Sequence, residues 1–119
     1  MFKQVLEAVV ERTEGSIAGL LMGFDGILLE QYMKTGSDFD VETIGMEYSI
    51  ILSQISKAAE LLDAGEAREV SIQAERLTTL IRLLNKEYFV ALTMTPHANF
   101  GKARFLLRTL TPKLLDELV

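Results

Sequence analysis

The sequence has 119 residues, of which 49% are apolar and 24% are charged. This composition is typical of a globular domain, so we exclude global disorder and expect one domain over residues 1–119. The formal net charge is −5, and the twelve Lys and Arg residues form no basic run. Nucleic-acid binding is therefore not expected. The absence of cysteine excludes a disulfide scaffold and thiolate chemistry.

The N-terminal residues carry acidic side chains early and have no apolar core, so they do not predict a signal peptide. No apolar stretch approaches the roughly 20 residues that a membrane-spanning helix needs. We therefore expect a cytoplasmic protein without membrane insertion.

The first third of the chain predicts a helix followed by a β-hairpin. Apolar residues at helical spacing predict a helix over 2–13. The run over 17–24 is apolar on both faces, as in a central strand, whereas the run over 27–33 becomes polar, as in an edge strand. Asp25-Gly26 between the two runs is a strong hairpin signal.

A long helix is predicted over about residues 40–63. Ser37 and Asp40 have the spacing of a capping box, and Asp38 or Asp40 is also a suitable N-cap. Gly65 is expected to close the helix.

Three further strands and a final helix follow. Residues 69–74 alternate polar and apolar, 77–84 and 88–95 are β-prone, and a short turn at 85–87 joins the last two. The spacing of apolar residues over 100–119 predicts an amphipathic helix. Within this helix Pro112 is expected to produce a kink, or to restart the helix with Thr111 as its cap. The sequence thus predicts an α/β fold with a mainly antiparallel five-stranded sheet.

No catalytic or metal-binding constellation is visible, so no enzyme activity, cofactor or metal is expected. The one histidine, His97, follows Pro96 in a predicted loop. The segment 22–26 lacks the Gly-Lys-Ser/Thr ending of a phosphate-binding loop. No pattern selects one of the arginines as a donor in phosphoryl transfer, and surface solvation is the preferred interpretation for Arg68, Arg76, Arg82, Arg104 and Arg108.

The long helix carries more apolar surface than one face requires. A broad face, expected to cover the sheet, consists of Val41, Ile44, Tyr48, Ile51, Ile55, Ala58, Ala59 and Leu62. A second apolar set, Met46, Ile50 and Leu61, lies roughly opposite, with Ser53 and Lys57 between its members. A strip of mostly small residues, Gly45, Ser49, Leu52 and Ser56, runs between the two faces.

Two faces and a small strip predict a second packing partner, and a homodimer is the simplest one. The alternative is a helix enclosed on both sides within its own domain. We predict a dimer interface at Gly45, Ser49, Leu52, Ser56, Val70 and Ile72, with Val70 and Ile72 on an edge strand that pairs with a second copy. Partner binding is predicted at Met46, Ile50, Ser53 and Lys57.

Two short motifs and the order of elements resemble the Roadblock family, named after the dynein light chain roadblock. The stretch 19–29, Gly-Leu-Leu-Met-Gly-Phe-Asp-Gly-Ile-Leu-Leu, is similar to the first hairpin of that family. The stretch 98–104, Ala-Asn-Phe-Gly-Lys-Ala-Arg, is similar to the start of its last helix. Pro112 departs from the family pattern, in which the last helix is usually continuous. The short chain favours the bacterial, MglB-like branch.

The resemblance implies a three-layer sandwich, with the long helix on one sheet face and the N- and C-terminal helices on the other. It also implies a non-enzymatic dimer that pairs through the long helix and the third strand, and that binds a Ras-like small GTPase as a regulatory or scaffold subunit. Two other functions remain open at this point: a small-molecule sensor domain, and an adaptor subunit of a motor or trafficking complex.

Overall fold

The computed structural model describes residues 2–34, 36 and 40–118. Its elements follow in the predicted order: α1 (Phe2–Arg12), β1 (Ser16–Gly23), β2 (Leu28–Met33), α2 (Val41–Leu61), β3 (Glu69–Gln73), β4 (Thr78–Leu83), β5 (Tyr88–Met94) and α3 (Phe100–Leu118).

The five strands form one antiparallel sheet in the order β2-β1-β5-β4-β3. The predicted inner position of β1 is confirmed, since it pairs with both β2 and β5. The predicted edge positions of β2 and β3 are confirmed as well. The sheet therefore ends, at one side, on the strand with alternating polar and apolar residues.

Helices cover both faces of the sheet. Side chains of α1 and α3 share one buried cluster with the sheet, which includes Leu6, Val10, Leu21, Leu92 and Leu107. Helix α2 packs on the opposite face, where the cluster includes Val41 and Leu52. The fold is therefore the predicted three-layer α/β sandwich with separate cores above and below the sheet.

The β1–β2 hairpin is confirmed, but its loop has three residues, Phe24 to Gly26, instead of a tight Asp25-Gly26 connection. The backbone N–H of Gly26 donates to the carbonyl of Gly23 (3.0 Å), and the N–H of Gly23 donates to the carbonyl of Ile27 (3.0 Å). Gly26 has a φ of +86°. A turn followed by a left-handed residue is the usual three-residue hairpin connection, and glycine adopts that conformation without strain.

Helix α2 begins at the predicted cap but ends earlier than predicted. Asp40 is the N-cap, and its carboxylate accepts hydrogen bonds from the backbone N–H (3.2 Å) and the hydroxyl (2.7 Å) of Thr43. Ser37 and Asp38 lie outside the described residues. At the C-terminus, Asp63 has a φ of +54°, and a bond from Ala64 N to Ala59 O (3.0 Å) completes a Schellman motif. Asp63, not Gly65, therefore ends the helix.

Helix α3 is continuous through Pro112. Thr111 is buried inside the helix and its hydroxyl donates to the carbonyl of Leu107. The alternative that Thr111 caps a second helix is therefore wrong. Asn99 caps the start instead, since its Oδ1 accepts from Lys102 N (3.0 Å). Over the described ranges, no helix combines the length and the apolar character needed to cross a membrane.

Candidate protein-interaction surface

The face of α2 that contacts the sheet is made of small and medium-sized residues. Its buried members are Val41, Gly45, Ser49 and Leu52. Leu52 is fully buried, and Gly45 packs against Met22 of β1. Ser56 is half-buried at the end of the same face. This face holds the helix on its own sheet.

The prediction that the small-residue strip faces a dimer partner is therefore wrong for Gly45, Ser49 and Leu52. The physical reason lies in β1, which directs the long side chains of Leu20 and Met22 at α2. A helix can approach such a surface closely only where its own side chains are small, because interiors are close-packed.

Large apolar residues of α2 lie in solvent instead. Ile44 and Ile51, which were predicted to cover the sheet, are 36% and 43% exposed, and Leu62 just beyond the helix is 78% exposed. Tyr48, Ile55 and Ala59 are half-buried. The helix thus has one buried face and two exposed apolar flanks, one on each side of it.

The first flank lies on the side of β3, and we call Ile44, Ile51 and Ile72 the β3-side patch. Ile44 and Ile72 line the same small apolar cavity, which has a volume of about 150 Å³. In the wall of this cavity the hydroxyls of Tyr48 and Thr79 share a hydrogen bond of 3.0 Å. Pockets for small-molecule ligands usually have volumes of about 300 Å³ or more, so this cavity fits a side chain better than a metabolite.

The β3 edge beside this patch carries backbone groups without a strand partner. Hydrogen bonds from Leu83 N to Arg68 O and from Ala74 N to Leu77 O (both 2.9 Å) continue the β3–β4 ladder at its two ends. Bonded pairs alternate along an antiparallel ladder. The N–H of Ile72 therefore points towards β4, whereas the N–H and carbonyl of Ser71 point away from the sheet.

The second flank lies beside the β1–β2 hairpin, and we call Met46, Ile50 and Ile27 the hairpin-side patch. Their side chains are 49%, 57% and 60% exposed. Met46 lies next to the turn, since its Cγ is 3.8 Å from the position of a Cβ on Gly26. Ile27 was missed by sequence reasoning because the pattern of the apolar run over 27–33 gave no reason to separate it from its half-buried neighbour Leu28.

Ser53 and Lys57, which were predicted to bind a partner, lie on the same flank of α2 and are exposed. The hydroxyl of Ser53 donates to the carbonyl of Ser49 (2.9 Å), so it is already satisfied within the helix. Lys57 thus adds a positive charge to this flank.

Among the described residues, no group of side chains suited to catalysis or metal binding lies at either patch. Over the part of the chain that the structure describes, no three His, Asp or Glu side chains form a group suited to a metal ion. His97 is exposed in the loop before α3. Hydrogen bonds from Thr43 lower the pKa of Asp40, and the hydrogen bond from Tyr32 to Glu11 (2.5 Å) raises the pKa of Tyr32 to about 12. Neither group belongs to a patch.

An unpaired strand edge beside exposed apolar helix flanks is typical of a protein–protein interaction domain. Several solved structures share this fold. The crystal structure of MglC from Myxococcus xanthus is 39% identical in sequence to this chain. The alignment covers 96% of this chain and 96% of MglC, with a TM-score of 0.69. An MglB structure described as having a tetrameric arrangement is 19% identical, covering 93% of this chain and 82% of that chain, with a TM-score of 0.85.

A Roadblock/LC7 domain from Streptomyces avermitilis is 17% identical, covers 95% of this chain and 97% of that one, and has a TM-score of 0.77. A scan against protein-family models found no match, and a search of curated proteins also found none. At 39% identity over almost the whole length of MglC, the chain belongs to the Roadblock family, in its MglB-like branch.

Proposed function

We propose that this chain is a non-enzymatic, homodimeric regulatory or scaffold subunit that binds a Ras-like small GTPase. The observation that carries the proposal is the exposure of large apolar side chains on both flanks of α2. A helix that served only its own core would expose polar residues on both sides of its buried face. Two flanks provide two surfaces, one for a second copy and one for a partner.

The β3-side patch is the surface we assign to the homodimer. It combines exposed isoleucines with the outward backbone groups of Ser71, so one contact covers apolar area and pairs the strand edge. A two-fold dimer places the same patch of each copy against the other. Val70 and Ile72, which were predicted for this interface, lie on the α2 side of β3. Ile44 and Ile51 replace the small-residue strip as the helix contribution.

The hairpin-side patch is the surface we assign to the GTPase. It contains the predicted residues Met46 and Ile50 together with Ile27, and the predicted residue Lys57 lies on the same flank of α2. GTPase binding itself is supported by the family resemblance, since a fold does not by itself define a partner. In this proposal the chain donates no catalytic group, and it regulates by holding the switch loops of the GTPase.

The test is a binding assay between the chain and candidate Ras-like GTPases loaded with GDP or with a non-hydrolysable GTP analogue. Ile50→Asp is expected to weaken binding by roughly tenfold or more, because a buried interface centre does not accept an unpaired carboxylate. Gln4→Asp, on the exposed side of α1, introduces the same single negative charge as a control and should bind normally. Equal loss in both variants, or binding to no GTPase, would contradict the assignment.

A further inference from the structure

The outer face of α3 has a character that differs from the rest of the molecule. It lies on the sheet face opposite α2 and is not part of either patch. Its exposed residues are Gly101, Lys102, Phe105, Arg108, Thr109, Pro112 and Lys113, followed by Asp116 and Glu117 at its C-terminal end. Phe105 is 62% exposed and lies in the middle of this row. A large exposed aromatic ring surrounded by polar residues is typical of an interaction site.

Charge is distributed unevenly along the chain, and α3 is basic. Four of the twelve Lys and Arg residues lie between Lys102 and Lys113, and no acidic residue occurs between Phe100 and Leu115. The whole chain nevertheless has a net charge of −5. The outer face of α3 from Lys102 to Lys113, ahead of the acidic Asp116 and Glu117, is therefore a local positive field on an acidic protein, which attracts an acidic partner and repels a copy of itself.

Most of these cations are available to a partner. Arg104 is held within the chain, since its guanidinium forms an ion pair with Glu69 (2.9 Å) and lies 4.8 Å from the centre of the Phe100 ring. Among the described residues, no carboxylate lies within ion-pair distance of Lys102, Arg108 or Lys113. Arg104 is thus held in place, whereas Lys102, Arg108 and Lys113 have no ion-pair partner among the described residues.

A shallow depression runs along the row and is open to an extended segment. Its volume is about 470 Å³, and its lining residues are Gly101, Arg104, Phe105, Arg108 and Thr109. Gly101 has no side chain, so the backbone of α3 is accessible beside the Phe105 ring. The depression therefore offers an apolar contact between two guanidinium groups.

We propose that the outer face of α3 docks an acidic segment of a partner protein that carries an apolar side chain among its carboxylates. Carboxylates would pair with Arg108 and with Lys102 or Lys113, and the apolar side chain would pack on Phe105. An anionic bilayer is disfavoured because the face has one large exposed apolar side chain and the remainder of the chain is acidic. Pairing of two α3 helices is disfavoured because both are basic.

The probe is a fluorescein-labelled Glu-rich peptide with one central Leu, measured by fluorescence anisotropy against the full chain at low salt. Phe105→Ala and Arg108→Glu are each expected to weaken binding by roughly fivefold or more, since truncating an interface anchor typically costs more than 1 kcal/mol. Lys86→Glu, which makes the same charge change in the β4–β5 turn, is the control and should bind as the natural chain does. Both α3 variants change exposed residues, so their unfolding curves and oligomeric state should not change.

Three outcomes would overturn the proposal. The first is equal weakening by Lys86→Glu and Arg108→Glu, which would indicate attraction to net charge alone. The second is equal affinity for a peptide whose Glu residues are replaced by Gln. The third is binding to phosphatidylserine-containing vesicles but not to the Glu-rich peptide, which would make the face a membrane contact.

Discussion

Gly45 of α2 lies so close to Met22 of β1 that a Cβ atom on Gly45 would be 2.6 Å from Met22 Cε and 2.9 Å from its Sδ. Such separations are far below van der Waals contact, so any larger residue at this position requires the end of the Met22 side chain to shift. The contact places Gly45 on the face of α2 that belongs to the core, and the other faces are left for partners.

Gly45→Leu is expected to destabilise the monomer itself by about 1–3 kcal/mol, the usual cost of overpacking a core. Leu20 Cδ2 would also lie 3.2 Å from the new Cβ, so the added side chain has no free space. The measurement is urea unfolding at a protein concentration low enough to favour the monomer. A variant that unfolds at the same urea concentration as the natural chain would place Gly45 outside the core.

Substitution by proline at two neighbouring positions of β3 is expected to affect different properties, the dimer in one case and the monomer in the other. Ser71→Pro removes an N–H that points away from the sheet, so it should weaken the dimer by roughly tenfold while leaving the monomer folded. Ile72→Pro removes an N–H that bonds β4, so it should lower the thermal stability of the monomer. Sedimentation and circular dichroism distinguish the two effects. If Ser71→Pro dimerises as the natural chain does, the edge does not pair with a second copy.

The Schellman end of α2 predicts a stabilising substitution. Asp63→Gly should raise the free energy of unfolding by about 0.5–1 kcal/mol, because glycine accepts positive φ and because an acidic residue is unfavourable at a helix C-terminus. Ala64→Gly is the control, since Ala64 does not have a positive φ. It should be neutral or destabilising. Stabilisation by both variants to the same extent would contradict the assignment of Asp63 as the left-handed residue.

The N-cap of α2 predicts a pH-dependent effect. Hydrogen bonds from Thr43 lower the pKa of Asp40 below its ordinary value of 3.8. A lowered pKa means that the ionised carboxylate stabilises the fold above pH 3.8, and that this stabilisation is lost as the pH falls towards the pKa of the folded state. Asp40→Ala should therefore lower the melting temperature at pH 7, and the difference should shrink below pH 3.8.

Asp40→Asn is the matched control for this effect, because asparagine caps helices but does not ionise. Its melting temperature should differ from that of Asp40→Ala by a similar amount at pH 7 and in acid. A difference between natural chain and Asp40→Ala that does not change with pH would show that the carboxylate charge is not involved.

Element order, sheet composition and the edge positions of β2 and β3 could be predicted from the sequence because hydrophobic periodicity and turn residues are local signals. Which face of α2 is buried and which residues are exposed could not be predicted in this way. Apolarity alone assigned Ile44 and Ile51 to the core, whereas the decisive factor was the size of Leu20 and Met22 on the opposing strand. Which strand lies opposite α2 is a property of the tertiary fold. The spacing of apolar residues along α2 carries no information about it. Likewise, the residue at which α2 ends and the length of the β1–β2 loop depend on individual hydrogen bonds.

The central claim, dimerisation through the β3-side patch, is tested most directly by the molar mass in solution, measured by light scattering at tens of micromolar. The natural chain should have twice the chain mass of 13.3 kDa. Ile51→Asp should have the mass of one chain with an unchanged circular dichroism spectrum, because Ile51 is exposed in the isolated chain and would be buried in the proposed dimer. A natural chain that is monomeric at this concentration, or an Ile51→Asp variant that remains dimeric, would contradict the account.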